Sequence, residues 1–452
     1  MGRGPDLSPI GRGPDLSSGR TRPRSKGGIV VAFEEPAFST APRGIRLHIG
    51  LFGRRNAGKS SLINALTGQQ VAIVSETPGT TTDPVYKPME LQPLGPVVFI
   101  DTPGLDDVGR LGGQRVAAAK KVLTKVDLAL LVLEAGREPG REERDLVRHF
   151  QQEKIPYLIV LNKQDLVPST PAGKAAAPPA LPGETWLVSA CTGAGIEELR
   201  GRIKEVAPRE ARRETILGDL IAPGETVVLV TPCDIEAPAG RLILPQVQTL
   251  RDILDHDAHA VVVKEDGLAA ALAGLKAPPA LVVTDSQAFP LVAAAVPPSV
   301  PLTSFSILFA RYKGDIAGLV AGVAAIPNLR PGDRVLIAEA CTHHPIGDDI
   351  GRVKIPRALE RIVGAKLSFT WYAGSDFPED LASYRLLIHC GGCMINRREM
   401  ITRQARALAA GVPTVNYGVF LAYAQGILPR TLAPLGLAHL VPPLPAAAAA
   451  GA

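Results

Sequence analysis

Short apolar runs recur along the chain, and polar turns followed by Ala- and Leu-rich helical stretches separate many of them. The clearest runs in the first half lie at 47–52, 97–100 and 157–161. Apolar residues fill these runs without a polar residue at every second position, which is typical of parallel strands buried between helices. The pattern therefore predicts an α/β chain in which strands and helices alternate.

This strand–helix pattern restarts twice, which predicts three successive α/β units. A length of 452 residues agrees, at roughly 150 residues per domain. We place the units at 41–210, 211–330 and 331–440 and expect mostly parallel sheets in the two smaller, later ones. The flanking segments 1–40 and 441–452 are predicted to be disordered tails, since the first repeats GRGPDLS and is rich in Gly, Pro and Ser.

Charge is concentrated in the N-terminal tail. The formal net charge is +5, but six basic and only two acidic side chains fall within the first 28 residues. The rest of the chain is nearly neutral, so a solvated tail is a better interpretation than a nucleic-acid contact. The long uncharged stretch at 286–310 holds four prolines and does not suit a membrane helix.

The five cysteines are unevenly placed, and no apolar secretory segment is visible near the start. Secreted proteins that rely on disulfides have regular cysteine patterns, whereas reduced thiols are typical of the cytosol. We expect a soluble, cytoplasmic protein.

A phosphate-binding loop is the strongest motif in the first unit. The predicted strand at 47–52 leads into a helix through GRRNAGKS at 53–60. Glycines let backbone amides turn toward phosphate oxygens, the lysine supplies a positive charge, and the serine hydroxyl can bind Mg²⁺. The residues predicted to surround the nucleotide phosphates are Gly53, Asn56, Ala57, Gly58, Lys59, Ser60 and Ser61.

Three further segments follow in the order expected for a guanine-nucleotide site. Asp101 ends a buried strand and can reach Mg²⁺ through water, and the amide of Gly104 can sense a γ-phosphate. A carboxylate at Asp165 would accept two hydrogen bonds from guanine, which adenine cannot donate. The predicted base-binding residues are Asn162, Lys163, Asp165, Ser189 and Ala190.

The stretches GRRNAGKSSLINALTGQ and PGTTTDPV resemble the translation-factor-like GTPases, particularly the tRNA-modification and ribosome-assembly GTPases. The resemblance implies that Thr81 or Thr82 offers a switch hydroxyl to Mg²⁺ and that Asn56 holds K⁺, although Asn56 could instead brace the loop. Leu105 stands where Ras-like enzymes have a catalytic glutamine, so hydrolysis should be slow and K⁺-stimulated. The predicted catalytic set is Lys59, Asn56, Thr81, Thr82, Asp101 and Gly104.

The middle unit, 211–330, shows no phosphate loop, catalytic pair or ligand cluster. A module without its own chemistry is a candidate for subunit contact. The small apolar residues at 314–326 could form such a contact or an ordinary core helix.

Cysteine and histidine gather behind two apolar runs of the third unit. Cys341 and His343 follow the first, and His389, Cys390 and Cys393 follow the second. Because the carboxyl ends of parallel strands meet at one edge of a sheet, the three thiols can converge. Buried apolar thiols, a Cys₃His zinc site and a [4Fe–4S] cluster with one exchangeable iron are the alternatives, and spacing does not separate the last two.

A GTPase domain followed by Cys-x-His and His-Cys-x-x-Cys resembles the [FeFe]-hydrogenase H-cluster maturation GTPases, the HydF family. The resemblance implies GTP-binding, dimerisation and Fe–S domains, with Cys341, Cys390 and Cys393 holding a [4Fe–4S] cluster. His343 or His389 would lie near the fourth iron, whose ligand could also be a carboxylate.

The same resemblance implies a homodimeric scaffold. It would receive a transient di-iron H-cluster precursor, assembled with two radical-SAM maturases, and transfer it to the [FeFe]-hydrogenase apoprotein. The alternative function is a zinc-stabilised GTPase acting in tRNA modification or ribosome assembly.

Overall fold

The structure is a computed structural model. It describes residues 46–68, 84–91, 95–104, 121–167, 180–208, 215–232, 242–340, 349–374 and 376–442. The predicted N-terminal tail lies outside these ranges, as does the predicted C-terminal tail after residue 442. Thr81, Thr82, Leu105, Cys341 and His343 also lie outside them.

The first sheet has six strands in the order β2-β3-β1-β4-β5-β6. Its strands are β1 (Leu47–Phe52), β2 (Val85–Leu91), β3 (Gly95–Asp101), β4 (Leu128–Glu134), β5 (Tyr157–Asn162) and β6 (Thr185–Leu187). All neighbours are parallel except β2 and β3, which are antiparallel. The helices of this unit that lie wholly within the described residues are α1 (Lys59–Thr67), α2 (Arg141–Gln152) and α3 (Ile196–Val206).

Both faces of this sheet are buried, as the unbroken apolar runs predict. Leu51 and Val160 are fully buried on the face covered by α1 and α3. Phe52 and Ile159 point to the other face, where Phe150 of α2 packs against them. Burial on both sides places the polar residues of the unit at the strand ends, where the loops begin.

The second sheet is entirely parallel, with strand order β10-β9-β7-β8. Its strands are β7 (Thr226–Val230), β8 (His259–Val263), β9 (Leu281–Thr284) and β10 (Leu302–Ser304). The accompanying helices are α4 (Leu244–Asp255), α5 (Leu268–Gly274), α6 (Phe289–Ala295) and α7 (Phe305–Lys313). Strand β8 lies at one edge of this sheet and exposes the apolar side chain of Val262.

The third sheet is also parallel, with strand order β12-β11-β13-β14. Its strands are β11 (Arg334–Glu339), β12 (Ser368–Ala373), β13 (Leu386–His389) and β14 (Thr414–Asn416). The remaining helices are α8 (Ile316–Ala321), α9 (Ile355–Val363), α10 (Arg397–Ala409), α11 (Tyr417–Ala424) and α12 (Leu428–Leu432). The predicted α/β class, with a phosphate-loop domain followed by parallel-sheet units, is confirmed.

The second and third units share one apolar core. Phe289 and Ile307 come from the second unit and pack in the same cluster as Ile337, Ile388 and Phe420 of the third. Within the 314–326 stretch, four apolar side chains are buried, which agrees with the core-helix alternative for them. They are Leu319, Val320, Val323 and Ile326.

No helix within the described ranges is both long enough and apolar enough to cross a membrane.

Candidate functional site

The phosphate loop connects β1 to α1 and requires glycine at both of its ends. Gly53 has φ +147°, and a Cβ there would overlap the carbonyl oxygen of Val132. Gly58 has φ +89°, and a Cβ there would overlap the side chain of Asn162. These backbone conformations are unfavourable for other residues, so the two glycines fix the path of the loop.

Lys59 is buried inside this loop. Its Nζ donates hydrogen bonds to the carbonyl oxygens of Gly53 (3.1 Å) and Arg54 (2.8 Å). Helix α1 begins without a side-chain cap, which leaves its first amides available to an anion. The loop thus combines a positive charge with the positive end of a helix dipole.

Ser60 and Asp101 form the predicted magnesium-binding pair. The Ser60 hydroxyl donates to Asp101 Oδ2 at 2.5 Å. Burial raises the pKa of Asp101, and the hydrogen bond from Ser60 and the charge of Lys59 oppose that effect. Hydroxyl and carboxylate oxygens are the ligands that Mg²⁺ prefers.

Asn56 lies within the phosphate loop, and Gly104 lies beside it. A Cβ on Gly104 would come within 2.8 Å of the Arg55 amide nitrogen, so the two backbones approach closely. Asn56 is exposed and has φ +61°, in the left-handed region. Ser61 follows in the first turn of α1.

Asn162 connects the phosphate loop to the predicted base-binding loop. It is buried, its Nδ2 donates to the Ala57 carbonyl (3.0 Å), and its Oδ1 accepts from the Ala190 amide (3.0 Å). The position of Asn162 was predicted, whereas this bridging role was not. The predicted contact between the Ala190 backbone and a base oxygen stays a prediction.

Asp165 is exposed in the turn that follows β5. The Ser189 hydroxyl donates to its Oδ1 at 2.5 Å, which orients the carboxylate. Lys163 adopts φ +63°, and its Nζ lies 3.4 Å from a carboxylate oxygen of Glu134. The predicted guanine-binding carboxylate is therefore accessible and held by a neighbour.

The second candidate site is the loop between β13 and α10, which carries Cys390 and Cys393. Strand β13 pairs with β11 so that His389 lies opposite Ala338. The two sulfurs therefore lie at the carboxyl edge of the third sheet, as predicted. Gly392 has φ +65°, and a Cβ there would overlap Met400, so this turn requires glycine.

Two backbone amides point at the sulfur of Cys390. The amide of Ala340 donates to Sγ at 3.1 Å, and that of Gly392 at 3.4 Å. Burial raises the pKa of Cys390 to about 11 and also raises that of Cys393, so both are neutral thiols at pH 7 without a metal. Amide hydrogen bonds to sulfur stabilise a thiolate that binds a metal.

Both ring nitrogens of His389 are engaged within the protein. Nδ1 lies 2.8 Å from the Cys390 carbonyl oxygen, and Nε2 lies 3.2 Å from a guanidinium nitrogen of Arg403. Because arginine only donates, Nε2 is the acceptor and Nδ1 carries the proton. Burial lowers the pKa of His389 to about 3, so the ring is neutral. Its predicted approach to an iron atom stays a prediction.

Among the described residues, no three His, Cys, Asp or Glu side chains are arranged to hold a metal ion. The other predicted ligands, Cys341 and His343, lie outside those residues.

Lys313 at the end of α7 is a site residue that sequence reasoning missed. Its side chain is 1% exposed, and its Nζ donates to the carbonyl oxygens of Gly392, Cys393 and Ile395. The sequence signal was a lysine at the end of the mainly apolar segment FSILFARYK.

The cysteine loop also contacts the first unit through Asn396, the N-cap of α10. Its Oδ1 accepts from the Glu399 amide (3.0 Å), and its Nδ2 donates to the Lys125 carbonyl (2.7 Å). Nδ2 also lies 3.2 Å from Asp127 Oδ2, which accepts from the His48 amide of β1 at 2.8 Å. Burial raises the pKa of Asp127 to about 7.

A row of charged groups runs beside this contact. Lys125 Nζ lies 3.8 Å from Glu399, whose other carboxylate oxygen is 2.7 Å from Arg403. Arg403 in turn reaches the His389 ring and donates to the Gly374 carbonyl (2.6 Å). The first unit and the cysteine loop are thus joined by consecutive polar contacts.

Three families of domains match successive parts of the chain. Residues 48–163 match the 50S ribosome-binding GTPase family. Residues 216–314 match the hydrogen maturase F dimerization domain, and residues 317–434 match the hydrogen maturase F tetramerization domain.

Curated relatives match the first unit. GTPase Era of Heliobacterium modesticaldum is 40% identical over 120 residues, which are 26% of this chain and 40% of the relative. The tRNA modification GTPase MnmE of Ralstonia nicotianae is 37% identical over 172 residues, 36% of this chain and 35% of the relative. The chain thus spans well under half the length of either protein.

Solved structures also include GTPases. A variant of Era from Aquifex aeolicus, bound to GDP and AlF₄⁻, is 18% identical with a TM-score of 0.32. That match covers 80% of this chain and 98% of the solved one.

Proposed function

The chain belongs to the hydrogen maturase F family, and we propose that it is a GTP-hydrolysing iron–sulfur scaffold for the maturation of [FeFe]-hydrogenase. The observation that carries the proposal is the joining of two ligand loops in one chain. One has the geometry of a phosphate loop, and the other presents Cys390 and Cys393 at a sheet edge with amides directed at sulfur.

The first unit would bind GTP with Mg²⁺. Lys59 would neutralise charge on the outer phosphates, and Ser60 and Asp101 would supply oxygen atoms around Mg²⁺. Asp165, accessible and oriented by Ser189, would accept hydrogen bonds from guanine. Slow hydrolysis, with Thr81 or Thr82 as the switch hydroxyl and K⁺ beside Asn56, completes this part of the proposal.

The cysteine loop fits an iron–sulfur cluster in three respects. Thiolates are soft ligands that bind iron and zinc, two amides donate to Cys390 Sγ, and the Gly392 turn holds the sulfurs at the sheet edge. We assign Cys341, Cys390 and Cys393 as the residues that would hold a [4Fe–4S] cluster. When bound, the cluster supplies an iron with an exchangeable ligand position.

The protein must release thiol protons before it can bind the metal. Because burial raises the pKa of Cys390 to about 11, loading of the site should become easier as the pH rises. The amides of Ala340 and Gly392 reduce this cost, since their hydrogen bonds favour the ionised sulfur.

The substrate carried by this scaffold would be a di-iron H-cluster precursor. It would arrive from two radical-SAM maturases and leave for the [FeFe]-hydrogenase apoprotein. The loop lies at the carboxyl edge of a parallel sheet, where ligands of open α/β folds bind. His343 or His389 would be near the exchangeable iron.

Oligomerisation would involve the second unit. Residues 216–314 match a dimerization domain, and β8 is an edge strand with an exposed valine, Val262. An unpaired edge of this kind can extend its sheet onto a second copy. Val262→Lys should reduce the fraction of oligomer measured by light scattering; an unchanged mass would place the interface elsewhere.

Metal analysis of the anaerobically reconstituted full chain tests the central proposal. Wild type should contain iron and acid-labile sulfide, give an EPR signal after reduction, and activate an immature [FeFe]-hydrogenase. Serine substitutions at Cys341, Cys390 and Cys393 should each abolish cluster assembly. Cys191→Ser is the matched control, since Cys191 is exposed in the first unit.

Two outcomes would contradict the proposal. One is a triple-cysteine variant that still assembles the cluster. The other is a wild type that takes up only zinc and activates no hydrogenase, which would favour a zinc-stabilised GTPase of tRNA modification or ribosome assembly.

A further inference from the structure

A buried lysine holds the backbone of the cysteine loop. Lys313 ends α7, in the unit before the cysteine-bearing sheet, and is 1% exposed. Its Nζ donates to the carbonyl oxygens of Gly392 (2.9 Å), Cys393 (3.1 Å) and Ile395 (2.7 Å). An ammonium group has three hydrogens to donate, so these three bonds account for all of them.

Among the residues that the structure describes, no carboxylate forms an ion pair with Lys313. Glu399 acts at longer range and is paired with Arg403. The ring of Phe309, 5.6 Å away, is the other favourable contact. A buried charge without a counter-charge is unfavourable unless hydrogen bonds or a nearby anion compensate it.

The hydrogen bonds of Lys313 connect directly to the sulfur ligands. The Gly392 amide donates a hydrogen bond to Cys390 Sγ, and the Gly392 carbonyl oxygen accepts one from Lys313. Gly392 thus contacts both the sulfur and the ammonium group. The lysine also binds the carbonyl of Cys393 itself. Fixing the carbonyls of Gly392 and Cys393 fixes the peptide planes that carry the amides of Cys393 and Met394, and the hydrogen bonds of these two amides favour the ionised sulfur of Cys393.

We propose that Lys313 is the positioning residue and counter-ion of the Cys390–Cys393 site. It holds the loop in its metal-binding shape and supplies the positive charge that an anionic thiolate–metal group needs. This inference rests on the proposed function, in which those thiolates hold a cluster.

The sign of the effect follows from electrostatics. A cluster held by thiolates gains one negative charge on reduction, so a nearby ammonium stabilises the reduced state more than the oxidised state. Loss of the charge should therefore make the reduction potential more negative. Loss of the hydrogen bonds should weaken metal binding, by analogy with other groups that orient metal ligands.

Two substitutions separate these contributions. Lys313→Met removes the charge and all three hydrogen bonds, whereas Lys313→Gln removes the charge and keeps an amide that can donate. Lys366→Met is the control, because Lys366 is an exposed lysine of the cysteine-bearing unit and pairs with Glu360. GTP binding and the thermal unfolding midpoint of each full-length variant report whether it is folded.

The measurements are Co²⁺ affinity, followed through thiolate–metal absorption, and the reduction potential of the reconstituted cluster by EPR titration. Lys313→Met should lower Co²⁺ affinity by roughly 10- to 100-fold, and Lys313→Gln by less. Both should shift the potential to more negative values, while Lys366→Met matches wild type. If Lys313→Met does not fold, the reduction potential of Lys313→Gln alone tests the role of the Lys313 charge.

The inference fails if wild type assembles the cluster and both Lys313 variants keep its potential and the Co²⁺ affinity. A wild type that takes up no iron and sulfide would instead contradict the proposed function. The two failures are therefore distinguishable.

Discussion

A buried lysine holds the backbone of both the phosphate loop and the cysteine loop, but the two lysines come from different parts of the chain. In each, a buried lysine donates hydrogen bonds to backbone carbonyls, from Lys59 to Gly53 and Arg54 and from Lys313 to Gly392, Cys393 and Ile395. Lys59 lies five or six residues from its acceptors, whereas Lys313 lies about 80 residues away in a different unit. The phosphate loop is held by a residue close in sequence, whereas the cysteine loop is held by a residue that only the tertiary structure brings near.

The helices that follow the two loops also differ at their first turns. Helix α1 starts without a side-chain cap, so its amides remain available for phosphate oxygens. Helix α10 is capped by Asn396, which also contacts the first unit through Lys125 and Asp127. The helix end that binds an anion in one loop serves as a domain contact in the other.

The largest effect should come from disabling each loop separately. Lys59→Met should lower GTP affinity or turnover by roughly 100-fold or more, since it removes a charge aimed at the phosphates, and should leave Co²⁺ uptake intact. Cys393→Ser should reduce Co²⁺ uptake and leave GTP affinity and turnover intact. Nucleotide and Co²⁺ titrations on both variants test this, and loss of both activities in either variant would contradict independent loops.

The next largest effect should be a loss of guanine selectivity. Asp165→Asn should lower GTP affinity by roughly 10- to 100-fold, because hydrogen bonds to a charged acceptor contribute about 1.5–3 kcal/mol. Affinity for ATP should change little, so competition between the two nucleotides measures the effect. Wild type that binds ATP as tightly as GTP would show that Asp165 does not select the base.

A smaller effect is expected when K⁺ is replaced by Na⁺. GTP turnover should be several-fold faster in K⁺ than in Na⁺ at equal ionic strength, and Asn56→Ala should remove the difference. Steady-state phosphate release in the two salts measures it. Equal rates in wild type would leave Asn56 a bracing role in the loop.

The contact between the loops should have a modest energetic value. Asn396→Ala should lower the free energy of unfolding by about 1 kcal/mol, since it removes the cap of α10, with a further loss from the contact with Lys125. Asn396→Ser keeps a capping oxygen without the amide donor and should recover the first part only. Urea titrations of both variants measure the difference. If both variants lose the same free energy of unfolding, the cap does not contribute to stability.

The same contact also predicts that stability depends on pH. Burial raises the pKa of Asp127 from 3.8 to about 7, so the folded state favours the protonated carboxyl. Its contribution to stability is full below pH 3.8 and is lost as the pH rises through about 7. Asp127→Asn should flatten that decline in urea titrations between about pH 4 and about pH 7. An unchanged slope would show that Asp127 does not cause the decline.

The local loop could be predicted in detail, and the tertiary one only in outline. Gly53, Lys59 and Ser60 belong to one contiguous motif, so the strand, loop and helix followed from the pattern. The apolar runs before Cys390 likewise predicted strand ends at a sheet edge. Lys313 and Asn396 were missed because their roles arise from contacts across long separations, made by residue types that occur on most surfaces. The bridge made by Asn162 was missed for the same reason.

Because the second and third units share an apolar cluster, we expect them to unfold as one cooperative block. Phe289 and Ile307 of the second unit are buried in the same cluster as Ile337 and Ile388 of the third, so separation of the two units would expose apolar surface on both. Such a block opens as a whole, so backbone amides on both sheets should be protected from hydrogen exchange to a similar degree. A subunit contact made by one sheet would thereby also stabilise the cysteine-bearing sheet behind it.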